Sequence, residues 1–233
     1  MRRVAFLIAW LFLASLAGTA QAAGRPVVVE LYTSQGCSSC VAADTLLADL
    51  ADKPGVLALT LAVGYWDYLG WPDTFAKPEF AERQRIYLRR ASVREAYTPQ
   101  IVIDGRFQEA AVDPDKIAKL VHKAQTSRAR SPAMRFLRRA RVRVGAGGVP
   151  RGGAEVWLVR YDPSAQEVAV KRGENRGQTL VQKNVVRQLV RLGPWRGAQR
   201  VYSIPPAPQG ETLKTCILVQ ASGGGRILGV LQR

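Results

Sequence analysis

Histidine is nearly absent: the chain has one, His122. That excludes a Ser-His-Asp hydrolytic centre and leaves a zinc site short of ligands. Cysteine is scarce too, with Cys37, Cys40 and Cys216. A small odd number argues against a fold held by a disulfide framework. Acidic residues are few, 18 against 34 basic ones, and the formal charge is +16. After the first 22 residues no apolar run of spanning length remains, so the mature chain is expected to have no transmembrane segment. The glycine-rich stretch 145–153 is not followed by Lys-Ser or Lys-Thr, or by a helix, which excludes a phosphate-binding loop.

What is present begins with a leader. Met1-Arg2-Arg3 is basic, Val4 to Ala17 is apolar, and Ala20-Gln21-Ala22 ends in small residues. Residues 1–22 therefore read as a secretory signal peptide, too short to span a membrane comfortably. The mature protein is expected to be periplasmic or secreted, where a dithiol can cycle or stay paired. Export makes nucleic acid an unsuitable partner. The arginine excess fits an anionic envelope surface or simply a solvated basic face, because charge governs association rather than fold.

The chain is organised around Glu30-Leu31-Tyr32-Thr33-Ser34-Gln35-Gly36-Cys37-Ser38-Ser39-Cys40. Residues 26–32 read as a strand covered on both faces. Residues 38–52 read as a helix, with Val41, Leu46, Leu47 and Leu50 on its apolar stripe. Unpaired N–H groups and the helix dipole favour a thiolate at Cys37. Cys37 is then the attacking thiol and Cys40 the resolving one. Gly36 lets a partner backbone approach closely. Glu30 is a candidate proton carrier, and Asp44 is expected at the surface. Copper(I) held by the two thiolates is an alternative use of the pair.

Residues 56–63 read as a second strand, giving a strand–helix–strand crossover. Tyr65, Trp66, Tyr68 and Trp71 crowd the following loop. This loop, Trp66 included, is either a lid or substrate wall beside the dithiol, or an aromatic plug. Residues 75–94 read as a helix. Phe80, Gln84, Tyr87, Leu88 and Ala91 face inward; Arg83, Arg85, Arg89, Arg90 and Arg94 form a solvated face. Tyr97-Thr98-Pro99 then opens a strand that closes on an Asp104-Gly105 hairpin turn. The Thr98–Pro99 bond could be cis. A helix over 113–125 follows, with His122 expected at its surface.

Ser131-Pro132 marks a boundary, so residues 23–130 and 131–233 are expected as two domains. The second reads as all-β and sandwich-like. Its strands are a half-buried 134–144 with arginines outward, then 154–161, 167–172, 180–192, 200–204, 213–221 and 226–231. The segment 180–192 could also be a helix. Cys216 is either a third thiol that docks with the dithiol or an isolated, covered side chain.

The order strand, helix, strand, helix, Pro-strand, strand, helix, with the dithiol and Pro99 in their places, resembles the thioredoxin superfamily. The stretch Glu30 to Cys40, the loop Tyr65-Trp66-Asp67-Tyr68-Leu69-Gly70-Trp71 and Tyr97-Thr98-Pro99-Gln100 resemble a narrower group. That group is the exported thioredoxin-like family catalogued as domain of unknown function 1223. The likeness continues through Asn184-Val185-Val186-Arg187 and Leu192-Gly193-Pro194-Trp195. One departure is Val41-Ala42-Ala43, where that family usually has prolines after the second cysteine. The resemblance implies an α/β thioredoxin-like N-terminal domain, with Thr98 offering backbone groups to an extended substrate beside Pro99. It implies thiol–disulfide exchange with protein thiols or disulfides, for which no cofactor is needed. The alternative is a non-catalytic envelope protein, with a structural disulfide and a partner-binding β domain.

Overall fold

The computed structural model describes residues 25–126 and 131–233. The expected signal peptide, 1–22, lies outside the described residues, as does residue 130, where the expected first domain ends.

Strand β1 (Val27–Thr33) is buried along its whole length. Helix α1 (Cys40–Ala51) carries the chain over to β2 (Val56–Ala62), which pairs in parallel with β1 from Val27↔Val56 to Thr33↔Ala62. Helix α2 (Pro78–Arg90) is shorter than expected at both ends. Pro78 has no N–H to offer and suits a first helical turn, and Ser92, with φ 58°, turns the chain away after the last. Strand β3 (Gln100–Ile103) runs antiparallel to β1, and β4 (Phe107–Ala110) returns from it. The turn between them has Asp104 and Gly105 both at positive φ, as the Asp-Gly pair predicts. The Thr98–Pro99 bond is cis. Helix α3 (Pro114–Thr126) follows, with His122 exposed on it.

The expected single strand 134–144 is a hairpin, β5 (Met134–Leu137) and β6 (Arg141–Val144). Arg139 and Ala140 turn the chain at positive φ. Parity survives the fold because Met134 pairs with Val144 and Phe136 with Val142, so the same side chains face inward. Next come β7 (Ala154–Asp162) and β8 (Gln166–Ala169). The expected strand 180–192 is corrected to two, β9 (Thr179–Gln182) and β10 (Val185–Trp195). Asn184, at φ 53°, breaks it. Strands β11 (Arg200–Ser203), β12 (Lys214–Ala221) and β13 (Ile227–Gln232) complete the chain.

The strands after residue 131 do not form a sandwich standing apart, which corrects that expectation. Four of them extend the sheet of the first half in the order β13-β12-β7-β10-β2-β1-β3-β4. The seam is β10 against β2, parallel at Val185↔Thr60. Thr60 N–H and Oγ1 donate to Asn184 O (3.1 Å) and Lys183 O (2.7 Å), and Asn184 Nδ2 donates to Ala58 O (2.8 Å). Among the described residues the architecture is thus mixed α/β: one large mixed sheet, the antiparallel sheets β11-β6-β5 and β8-β9, and three α-helices.

Alternation along β1 sorts the layers. Val27, Val29 and Leu31 pack with Leu47 and Leu50 of α1 and with Ile117 and Val121 of α3. Val28 and Tyr32 face the other way, into a core that Phe80 and Tyr87 of α2 share with Val159, Val186 and Leu218 from the second half. The sheet β11-β6-β5 covers Val156, Leu158, Ile217 and Val219 through Val142, Val144 and Tyr202.

Candidate redox site

The buried strand β1 delivers a tight polar loop, 34–39, at its carboxyl end. Cys37 N–H donates to Ser34 O (3.1 Å) and Cys40 N–H to Cys37 O (3.2 Å). Cys37 and Cys40 are disulfide-bonded, with Cα atoms 5.4 Å apart. Helix α1 starts at Cys40, so Cys37 sits in the turn before it rather than inside the first helical turn. Both cysteines are 1% exposed, whereas Ser38 and Ser39 between them face solvent. Ser39 Oγ lies 3.4 Å from Cys37 Sγ.

The aromatic loop walls one side. Trp66 Nε1 donates to Thr98 Oγ1 at 2.7 Å, tying the loop to the residue before Pro99. A Cβ on Gly36 would meet Trp66 Cβ at 3.2 Å, so Gly36 is where this wall touches the dithiol loop. Trp66 stacks on Tyr68, which is 78% exposed. Pro99 is buried at the head of β3, and the pair Tyr32↔Gln100 sets it beside the end of β1. Cys37, Cys40, Gly36, Trp66, Thr98 and Pro99 therefore converge on one end of the sheet.

Three expectations are corrected. Glu30 faces the opposite side of β1 from the α1 packing and is ion-paired with Arg83 (Oε1–Nε 2.6 Å), so it is no proton carrier for the dithiol. Arg83 is 3% exposed rather than solvated, and it also donates to Tyr87 Oη (3.0 Å). Its place on α2, between Phe80 and Tyr87, explains the burial. Asp44 is 4% exposed rather than superficial, because it shares the inward stripe of α1 with Cys40, Ala43 and Leu47. Burial pushes the Asp44 carboxyl up to about 7. Its Oδ2 accepts from Gln182 Nε2 (3.3 Å), and its Oδ1 has no hydrogen-bond partner among the described residues.

Residues distant in sequence hold the loop. Gln35 is fully buried; its N–H donates to Asp73 Oδ2 (2.7 Å), and its Oε1 accepts from Trp71 Nε1 (3.0 Å). Burial raises Asp73 too, against the pull of the Gln35 N–H. From the turn between β8 and β9, Asn175 Nδ2 donates to Gln35 O and Cys37 O, both at 3.0 Å. Glu174 Oε2 accepts from Ser38 N–H (2.9 Å) and Ser38 Oγ (2.7 Å), which holds its carboxyl below the usual range. Leu180, Val168 and Val170 of the hairpin pack with Val41, Trp71 and Phe75. Polar residues in a turn 136 positions away carry no local pattern that sequence reasoning could use.

Cys216 is fully buried on β12, in the α2-side core with Tyr161 and Leu218. Burial pushes its thiol far above the ordinary value. It is an isolated core side chain. Among the described residues no group of three or more His, Cys, Asp or Glu side chains could hold a metal ion. No described helix is long and apolar enough to cross a membrane.

Fold and site together define a mixed α/β protein whose paired-cysteine loop is gripped by both halves of the chain. It belongs to the family described as protein of unknown function DUF1223, whose model matches residues 28–220. It is similar to the crystal structure of protein AGR_C_4864 from Agrobacterium tumefaciens, with 28% identity and a TM-score of 0.69. That likeness covers 88% of this chain and 92% of the other. No curated protein matches it significantly.

Proposed function

We propose that this protein is an exported thiol–disulfide oxidoreductase that works through Cys37 and Cys40 on a thioredoxin-like scaffold. The carrying observation is the disulfide at the entry to α1, beside the strand headed by Pro99, with Trp66 bridging to Thr98. A partner thiolate attacks one sulfur and the other leaves as a thiolate. A second partner thiol then resolves the mixed disulfide, so the partner is oxidised by two electrons and the pair is reduced. Thr98, Gly36 and Trp66 are the wall against which the partner's backbone would lie. A thioredoxin-like arrangement is supported by the parallel β1–α1–β2 unit and the antiparallel β3–β4 pair on its other edge. The leader pattern in residues 1–22 supports export.

The test is a trap. Cys40→Ser removes the resolving thiol, so the Cys37 thiolate should attack a disulfide of an oxidised or scrambled protein substrate, expel one substrate sulfur as a thiolate and accumulate as the mixed disulfide. Only unmodified protein would sink the exchange mechanism. The burial of both sulfurs favours a second reading, a structural disulfide in a non-catalytic envelope protein. Equilibration in glutathione buffers separates the two. A potential below about −300 mV, the range of inert structural disulfides, would favour the structural role.

A further inference from the structure

The tip of the β8–β9 hairpin lies against the dithiol loop, with Ser38, Ser39 and Glu174 still exposed. Glu174 takes the Ser38 N–H, and Asn175, fully buried, takes the carbonyls of Gln35 and Cys37. A Cβ on Gly173 would sit 4.0 Å from Gly36 Cα, so the tip lies directly against the loop. A thiolate formed at Cys37 is stabilised by N–H groups at the start of the following helix. Here the N–H one residue on is already bound by a carboxylate. A second negative charge beside that carboxylate is disfavoured. Ser39 Oγ remains as a donor within 3.4 Å of Cys37 Sγ.

We propose that Glu174 is a positioning residue for exchange at Cys37. Its carboxylate holds the Ser38 N–H, opposes the Cys37 thiolate and so biases the pair toward the disulfide, while Asn175 anchors the tip. This rests on Cys37–Cys40 being an exchanging pair. A partner that displaces the tip frees the Ser38 N–H for the thiolate it generates. Other charged groups around the loop are Asp44 on α1, Asp67 and Asp73 on the aromatic loop, and Arg172 and Arg176 flanking the tip in sequence. All stay in place when Glu174 alone is changed.

Glu174→Gln keeps an acceptor for Ser38 and removes only the charge. The pH profile of iodoacetamide alkylation at Cys37 is measured in mature full-length Cys40→Ser protein, with and without E174Q. The E174Q midpoint is expected to fall by roughly half a pH unit, which is about threefold faster alkylation on the acid limb. The gap should narrow in about 1 M salt, where charges are screened within roughly 3 Å. It should persist with Asp44→Asn, which removes the buried carboxyl on α1 that titrates at about 7. With both cysteines present, E174Q should shift the glutathione equilibrium about threefold toward the dithiol, since half a pKa unit is the same free energy. Coincident profiles, a shift to higher pH, or no alkylation at Cys37 in any variant would overturn the role of Glu174. The trap with a protein substrate reads separately. A pH shift without trapped partner removes the oxidoreductase reading alone, and a trap with coincident profiles removes this one alone.

Discussion

Glu30 and Asp44 are both buried acids, but they are neutralised in different ways. Glu30 has a full cation beside it in Arg83 and a hydroxyl from Tyr87 at 2.5 Å. Among the described residues Asp44 has no cation beside it, only neutral groups, the Gln182 amide and the Thr33 hydroxyl. The raised Asp44 pKa makes stability pH-dependent with a definite sign. From the ordinary carboxylate range up to about 7, the native state keeps a proton that the unfolded chain has released. Stability from this group therefore falls as pH rises through that window, and the loss is complete above it. Asp44→Asn should flatten urea-unfolding stability across that window and gain about 4 kcal/mol over the wild type at alkaline pH. Parallel curves for the two proteins would show that Asp44 is not protonated in the native state. For the other acid, Arg83→Met should cost about 3–5 kcal/mol, because it strands a buried carboxylate. The double change Glu30→Gln with Arg83→Met should recover much of that loss, measured by the same unfolding curves.

At the scale of elements, what could be seen in advance depended on how local the cause was. The β1–α1–β2 unit, the Asp104-Gly105 hairpin and α3 were legible because apolar period and turn chemistry lie within each segment. At Arg83 and Asp44 helical position overrides residue type, since both lie on the buried stripe of their helices. Arg83 lies on the stripe of Phe80, Gln84 and Tyr87, and an acid inside the apolar run of β1 was the sign of its partner. The split between β9 and β10 falls at Lys183-Asn184, a short strand-disfavouring pair that the flanking Leu180-Val181 and Val185-Val186 outweigh when the sequence is read as one run. What ends it is Asn184, which takes positive φ and spans to Ala58 of β2. Asn184→Gly keeps the backbone freedom and loses only the hydrogen bond, at about 1 kcal/mol. Asn184→Ala loses the bond and also the short polar side chain that makes the left-handed region tolerable to Asn, at about 2–3 kcal/mol in all. Equal losses for the two variants in thermal or urea unfolding would mean that the conformation at 184 carries no strain.

At the scale of the molecule, the question is whether residues up to the expected boundary can stand alone. The contacts argue that they cannot. Strand β2 is internal in the full sheet, with β1 on one side and β10 on the other, and cutting before β10 turns it into an apolar edge. Tyr87 of α2 loses the Gln220 amide that donates to its hydroxyl, and the α2-side core loses Val159, Val186 and Leu218. The Asp104 turn loses Ile227, whose N–H donates to Asp104 O at 2.8 Å. Gly105 fits so closely there that a Cβ would approach Gly225 O to 2.2 Å. The dithiol loop loses Glu174 and Asn175 together, and Asp44 loses Gln182. A fragment spanning 25–130 should therefore keep helical circular dichroism yet bind a hydrophobic dye and unfold without a sharp transition. Its disulfide, uncapped, should be reduced by dithiothreitol at least about tenfold faster than in the intact chain, because exchange rates follow access to sulfur. A cooperative transition with an unchanged reduction rate would make the first half an autonomous domain. It would also mean that the hairpin tip is a passenger on the disulfide, since removing it would leave the sulfurs as protected as before.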